Sequence, residues 1–209
     1  MKRSPFRARR CALATAIALA AVPVTAAAAQ PAATWTVTPG GALTAAGPAR
    51  IENAARGWTI TCADTRLTGT AKSGAGNTGE QILAVDTASF GGCTGSDGLA
   101  YTVTSESALM EMGATGYDAA AGRTSGGLFG FQVNIVRTDR CQFDVAGSGD
   151  LGTADATFTN AGSVLGLGGG DMGVTFVNFA CAAGFVAGGD AVVLSAELHA
   201  TPEQTITSP

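Results

Sequence analysis

Apolar and polar residues alternate with a period of two along much of the chain. In "GWTITCA", Trp58, Ile60 and Cys62 fall on one face, and Thr59 and Thr61 fall on the other. Successive side chains of a strand point to opposite sides, so this alternation indicates β-strands with one buried face. Threonine on the polar face fits, because threonine favours solvent-facing strand positions.

The same alternation predicts further strands with buried faces. The predicted core faces are Phe129, Phe131, Val133 and Ile135; Phe143 and Val145, next to Cys141; and Val192, Leu194, Ala196 and Leu198. Gly-rich breaks separate the strands every 8–12 residues or so, a spacing typical of antiparallel sandwiches and barrels. The segment "YDAAAGR", residues 117–123, is expected to form at most one helical turn. We therefore predict an all-β fold: an antiparallel β-sandwich or a partly closed barrel.

The N-terminal segment has the layout of a secretory signal peptide. Basic residues precede an apolar run of about 14 residues, and Ala27 and Ala29 stand at the −3 and −1 positions of a cleavage before Gln30. A membrane span needs roughly 20 apolar residues. We predict a removed signal peptide at residues 1–29 and a single secreted, extracellular β domain at residues 30–209. A twin-arginine pair leaves the export route open.

Removal of this segment changes the charge balance. It takes five of the twelve basic residues and none of the sixteen acidic ones, which leaves a net charge of −9 and Lys72 as the only lysine. Nucleic-acid-binding surfaces need clustered Lys and Arg, so nucleic acid is not expected as a partner. No second apolar run has the length of a membrane span, so we expect no membrane association after cleavage.

Two stretches fit the G-x-G-x-x-G pattern of dinucleotide-binding loops: "GAGNTG" at residues 74–79 and "GSGDLG" at residues 147–152. That loop works where it leads from a strand into a helix whose N-terminus faces the pyrophosphate. Here strand-like segments follow both stretches. We interpret the glycines as hairpin-turn residues with positive φ and expect no cofactor.

These stretches belong to an order of elements that occurs twice. A strand, a cysteine, a strand, a Gly-rich turn, a strand, a phenylalanine, a cysteine, a glycine and a strand follow each other in both halves. This order predicts an internal repeat at about 57–117 and 127–201, with two duplicated β units that share one core.

Four cysteines remain after the signal peptide: Cys62, Cys93, Cys141 and Cys181. An even number in an exported chain predicts two disulfides, and four cysteines allow three pairings. The repeated order favours Cys62–Cys93 and Cys141–Cys181. Each would stabilise the fold by roughly 3–4 kcal/mol in the chain-entropy description. No C-x-x-C is present, so neither a redox motif nor a zinc site is expected.

Several segments resemble a family of small secreted actinomycete proteins with two cysteine pairs in the same order. The segments are "TWTVTPGGALTA", "LTGTAKSG", "FGGCTG" and the ending "TPEQTITSP". The resemblance covers essentially the whole chain after the signal peptide. It implies secretion and an extracellular β architecture, and it implies no catalytic or binding residues. Many members have a tryptophan where this chain has "ESALMEMGATGYD".

Groups able to perform acid–base chemistry are few. His199 is the only histidine, and no G-x-S-x-G elbow accompanies it, so a Ser/His/Asp triad is not expected. Glu106 with Glu111, or Asp150 with Asp155, could serve glycoside hydrolysis as a carboxylate pair. Such pairs also arise by chance in an acidic chain.

Trp35 and Trp58 alternate with threonines, so we expect both in the core rather than in a sugar-binding cleft. The stretch with Leu109, Met110 and Met112 could fill core gaps or line a pocket or a partner surface, and core filling is favoured. The Asp/Gly-rich segments do not fit a spaced calcium-binding loop, so no metal site is predicted.

These observations predict a non-catalytic binding or structural domain, not an enzyme. Its partner would be an extracellular ligand, a cell-wall polymer or a protein. No catalytic, cofactor-binding or metal-binding residue is assigned. The alternatives are a small secreted hydrolase that uses turn carboxylates and a hydrophobic-ligand carrier. The sequence does not fix the oligomeric state.

Overall fold

A computed structural model describes residues 34–107, 109–147 and 151–209, and within them every regular element is a β-strand. The strands are β1 (Trp35–Thr38), β2 (Gly41–Asn53), β3 (Trp58–Ala71), β4 (Gly74–Asn77), β5 (Leu83–Gly95), β6 (Ala100–Ser105), β7 (Met110–Asp118), β8 (Arg123–Phe131), β9 (Val133–Arg137), β10 (Gln142–Ala146), β11 (Gly152–Thr159), β12 (Val164–Asp171), β13 (Gly173–Val177), β14 (Val193–Thr201) and β15 (Thr205–Thr207). The predicted all-β fold is confirmed. The predicted signal peptide and Asp150 lie outside the described residues.

Eight strands close into an antiparallel barrel. They follow the order β5-β3-β2-β14-β12-β11-β8-β7, and β7 returns to β5, where Leu83 pairs with Met112 and Val85 with Met110. The barrel alternative of the prediction is therefore the one observed, and the barrel is closed rather than partly closed. Closure depends on β5, whose first part pairs with β7 while its second part pairs with β6.

An extension continues the sheet beyond β5 in the order β6-β9-β10-β13. It packs against the barrel at Trp58, whose ring centroid lies 5.4 Å from that of Phe143 and 5.9 Å from that of Phe185. The predicted core faces around Trp58, Phe143 and Leu194 are all buried. The barrel and the extension therefore contribute to one continuous hydrophobic core.

A capping sheet of β15, β1 and β4 covers the end of the barrel opposite to Trp58 and the extension. Ile206 of β15 is buried against the barrel, and its backbone is held by Asn160, which donates to its carbonyl at 3.0 Å and accepts from its N–H at 2.8 Å. Gly74 and Gly76 have the positive φ expected of them, but they lie in the short strand β4 rather than in a hairpin turn. A strand, β5, follows, as predicted.

The predicted face of Phe129, Phe131, Val133 and Ile135 is wrong at its first residue. Phe129 is 43% exposed, whereas the other three are buried. The cause is a β-bulge at Gly130, whose φ is +84°. On β11, Gly152 pairs with Phe131 and the next residue, Thr153, pairs with Phe129, so Gly130 is an extra residue on β8 without a pairing partner. An extra residue shifts the alternation by one position, so Phe129 points outward.

Both predicted disulfides are present. Cys62–Cys93 joins residues that face each other across β3 and β5. Cys141–Cys181 joins the residue before β10 to a turn that follows β13. The two disulfides thus differ in their surroundings, one across a strand pair and the other from a strand to a turn. The internal repeat at about 57–117 and 127–201 stays a prediction.

Candidate functional site

A groove of about 490 Å³ lies between the capping sheet and the outer face of β7 and β8. One side is formed by Trp35 and the segment 78–81, and the other by Phe129. Gly113 and Ala114 line it between these walls, and Glu111 also belongs to the lining. We refer to it as the outer groove. Trp35 is 2% exposed, so it belongs to the core, as predicted, and only its edge borders the groove.

The backbone fixes the width of the outer groove. The N–H of Ile82 donates to the carbonyl of Met112 at 2.8 Å, and the N–H of Ala114 donates to the carbonyl of Gly79 at 2.7 Å. This approach requires a glycine at position 79, because a Cβ there would lie 2.2 Å from the carbonyl oxygen of Ala114. Segment 78–82 thus occupies one edge of β7, and β8 occupies the other.

The Phe129 ring is supported by glycines. Gly127 precedes it by two residues on β8, and Gly113 is the cross-strand partner of Gly127. A Cβ at Gly127 would lie 3.0 Å from Cζ of Phe129, and one at Gly113 would lie 3.2 Å from Cε2. The ring therefore lies against bare backbone on one side. Its remaining surface is open to solvent and forms an apolar wall of the groove.

Hydrogen-bond acceptors dominate the polar part of the outer groove. The side-chain amide of Gln81 donates through Nε2 to Glu111. Among the described residues, neither Glu80 nor Glu111 forms a salt bridge. Lys72 is nearby, but its Nζ bonds to the Glu80 carbonyl at 2.6 Å and to Thr78 Oγ1 at 3.1 Å. The two carboxylates keep acceptor sites for a ligand, as does the Gln81 amide oxygen, and the second amide N–H of Gln81 is a donor.

Of the predicted carboxylate pairs, the structure describes both members of one, Glu106 and Glu111, and of these two Glu111 lines the outer groove. Glu106 lies in the segment between β6 and β7, whereas Glu111 lies on β7 and in the outer groove. The second carboxylate of the groove is Glu80, which the sequence analysis missed because nothing local connects it with β7. Asp155 lies exposed on β11 opposite Gly168, and its predicted partner Asp150 lies outside the described residues.

His199 is exposed on β14, with Nδ1 3.4 Å from the carbonyl of Gly162. Ser195 and Glu197 share its face, as expected. Ser195 stands four residues away on the same strand, a distance of roughly 13 Å at the usual rise per residue. Ser195 and His199 therefore cannot hydrogen-bond. Met110 and Met112 are buried in the barrel core, which confirms the core-filling interpretation, while Leu109 is 75% exposed.

Buried apolar side chains of the barrel strands, among them Met112, Leu128 and Leu165, form its core. A gap between barrel and capping sheet measures only about 10 Å³ and is lined by apolar residues such as Leu43, Phe158 and Ile206. A single water molecule needs roughly 10–15 Å³. This gap therefore has no room for a hydrophobic ligand.

A second hollow, of about 430 Å³, lies beside Arg137. The Arg137 guanidinium donates to Asp97 at 3.1 Å and to Asp139 at 2.7 Å, and it lies 4.2 Å from the centroid of the Phe185 ring. Its donors are thus directed to residues of the fold, so this hollow is a weaker candidate for a ligand site than the outer groove.

Burial and hydrogen bonds shift the pKa values of Arg137 and of the ionisable groups around it. Burial raises the pKa of Tyr101 to about 12, and its hydrogen bond to Asp97 adds to the effect. Burial tends to raise the pKa of Asp97, but hydrogen bonds from Leu99, Tyr101 and Arg137 outweigh it and lower that pKa. The hydrogen bond from Arg137 lowers the pKa of Asp139 and raises that of Arg137 itself. The network stabilises the fold.

Within residues 34–107, 109–147 and 151–209, no group of three or more His, Cys, Asp or Glu side chains is placed to hold a metal ion. In that same part of the chain, no helix has the length and apolar character to cross a membrane. No family model matches the chain, and no curated protein or solved structure matches it either.

Proposed function

We propose that the chain is a secreted, non-catalytic binding protein whose outer groove holds a polysaccharide. The observation that carries this proposal is the half-exposed ring of Phe129 set beside the carboxylates and the amide of the groove. The C–H faces of a sugar pack on an aromatic ring, while its hydroxyl groups hydrogen-bond to carboxylate and amide oxygens. The groove supplies both kinds of contact, as ligand sites do.

A polysaccharide suits the outer groove better than an extended peptide does. A peptide that adds to a sheet needs a strand edge with free N–H and C=O groups. Beside the groove, both edges of β7 are occupied, one by β8 and the other by segment 78–82 and β5. Recognition must therefore come from side chains, which is how hydroxyl-rich ligands are held.

The proposal of secretion is supported by the N-terminal sequence and by the two disulfides, which are compatible with an extracellular protein. Mass spectrometry of protein recovered from the culture medium tests it. We expect an N-terminus at Gln30 or within a few residues of it. Protein that stays in the cell with its first residues intact would contradict export.

Co-sedimentation with insoluble polysaccharides tests the binding function. We expect the wild-type protein to bind at least one of cellulose, chitin, chitosan or a β-glucan, and Phe129→Ala to weaken that binding about tenfold or more. Phe176→Ala is the matched control, because Phe176 is 47% exposed and lies outside the groove. Equal effects of the two substitutions, or no binding to any polymer, would refute the proposal. Release of soluble sugar would favour the hydrolase alternative.

A further inference from the structure

We infer that the outer groove selects a polysaccharide with free amino groups over neutral or acidic ones. The inference rests on the proposed function, since it specifies the ligand of the same groove. It starts from the charge of the lining: Glu80 and Glu111 face a ligand without a salt-bridge partner among the described residues. Lys72, whose Nζ lies beside Glu80, is bonded to a hydroxyl and a carbonyl instead. The local balance is one negative charge in excess.

The pattern of donors and acceptors points the same way. Gln81 donates its amide N–H to Glu111, which leaves its carbonyl oxygen as an acceptor. With the two carboxylates, the groove therefore offers its ligand more acceptors than donors, the donors being the second amide N–H of Gln81 and the Thr78 hydroxyl. An ammonium group carries three donors and no acceptor. A neutral hydroxyl has one donor and would leave some of these acceptors without a hydrogen bond. A ligand carboxylate would be repelled by Glu80 and Glu111.

The aromatic wall adds to this preference. The face of an aromatic ring carries negative charge density and attracts a cation placed over it. Phe129 presents such a ring beside the carboxylates, and its support by Gly113 and Gly127 holds it there. An amino sugar can therefore place its apolar face on the ring while its ammonium group meets the acceptors. The net charge of −9 after cleavage also attracts a polycation from solution.

A pair of polymers that differ only in the amine tests the inference. Chitin and chitosan share one backbone, with the amine acetylated in the first and free in the second. At low ionic strength we expect at least about tenfold tighter binding to chitosan, with the difference shrinking as salt is added. The double substitution Glu80→Gln/Glu111→Gln should abolish the preference, so that the two polymers bind with about equal affinity. Glu106→Gln/Glu197→Gln, which removes the same charge outside the groove, is the matched control.

The outcomes separate this inference from the function on which it rests. Equal binding of both polymers, or a chitosan preference that survives Glu80→Gln/Glu111→Gln, would overturn the inference and leave the groove as a polysaccharide site if Phe129→Ala still weakens binding. An equal loss in both double variants would also overturn it, because the effect would come from net charge alone. No binding that depends on Phe129 would overturn both proposals. Thermal melting of each variant verifies that it is folded.

Discussion

Phe129 lies so close to Gly127 that a methyl group at position 127 would stand 3.0 Å from Cζ of the ring. The ring is in this position because the bulge at Gly130 turns it out of the core. The cross-strand glycine, Gly113, widens the space beneath it. An aromatic ring on the barrel surface is therefore held by its contact with backbone, next to the carboxylates of the outer groove.

Gly127→Ala should displace the Phe129 ring without harming the fold. Gly127 does not have a positive φ, so its backbone accepts alanine, but the added methyl would crowd Cζ, Cε1 and Cε2 of the ring. We expect polysaccharide binding to fall several-fold and Tm to change by only a few degrees. Gly168→Ala is the control, because a Cβ at Gly168 meets nothing within 4 Å. Unchanged binding in Gly127→Ala would show that the ring position is unimportant.

The neighbouring substitution, Gly126→Ala, should destabilise the fold, in contrast to Gly127→Ala. A Cβ at Gly126 would stand 1.8 Å from the carbonyl oxygen of Gly113 on the paired strand, so β7 and β8 would have to separate. We expect a loss of about 3 kcal/mol in the free energy of unfolding, at the upper end for overpacking. Denaturant unfolding measures it. A stability equal to that of Gly127→Ala would contradict the strand spacing described here.

Arg137→Ala should destabilise the protein by about 2 kcal/mol. The substitution removes the ring contact with Phe185 and leaves Asp97 and Asp139 without their cation. This loss in the free energy of unfolding is smaller than the loss expected for a fully buried ion pair, because both carboxylates are partly exposed. Arg50→Ala breaks a salt bridge whose partners are both exposed and should cost well under about 1 kcal/mol. Equal losses would contradict a structural role for Arg137.

The same network predicts how stability depends on pH. The pKa values of Asp97 and Asp139 lie below their ordinary value of 3.8 in the folded state. Their stabilising contribution is therefore complete above about pH 5 and is lost as pH falls through the folded-state pKa values. The stability difference between wild type and Arg137→Ala should shrink between pH 5 and about pH 2. A difference that stays constant or grows on acidification would contradict this.

Reduction should open the two disulfides in a set order. Cys62 and Cys93 are buried, as is Cys141, whereas Cys181 lies partly exposed in a turn. Thiol exchange requires access to a sulfur atom. Limited reduction of the folded protein, followed by alkylation and peptide mapping, should therefore label Cys141 and Cys181 first. Earlier labelling of Cys62 and Cys93 would be inconsistent with the burial described here.

Local properties of the fold could be predicted from the sequence. The buried faces around Trp58 and Phe143 follow from alternation, and the disulfide pairing follows from the order of the cysteines. Barrel closure could not be predicted, because it depends on the pairing of β5 with two different strands. The outward position of Phe129 could have been predicted from Gly130, because a single glycine inside an alternating strand is typical of a bulge.

The candidate site was harder to predict than the fold. Glu111 was identified from the sequence, but with Glu106 as its partner. The groove instead brings Glu80 and Gln81 to Glu111 through the hydrogen bonds between segment 78–82 and β7. Contacts between residues about 30 positions apart leave no periodic trace in a sequence. Trp35 was correctly assigned to the core, yet its edge also borders the groove.

Amide chemical-shift mapping with a soluble chitosan oligosaccharide tests the central claim most directly. If the outer groove is the binding site, the largest shifts on titration will occur at Gly79, Glu111, Gly113, Thr115 and Phe129, and they will disappear in Phe129→Ala. Shifts centred on the hollow beside Arg137, or no saturable shifts with any oligosaccharide that the polymer experiments select, would contradict the claim that this groove is the binding site.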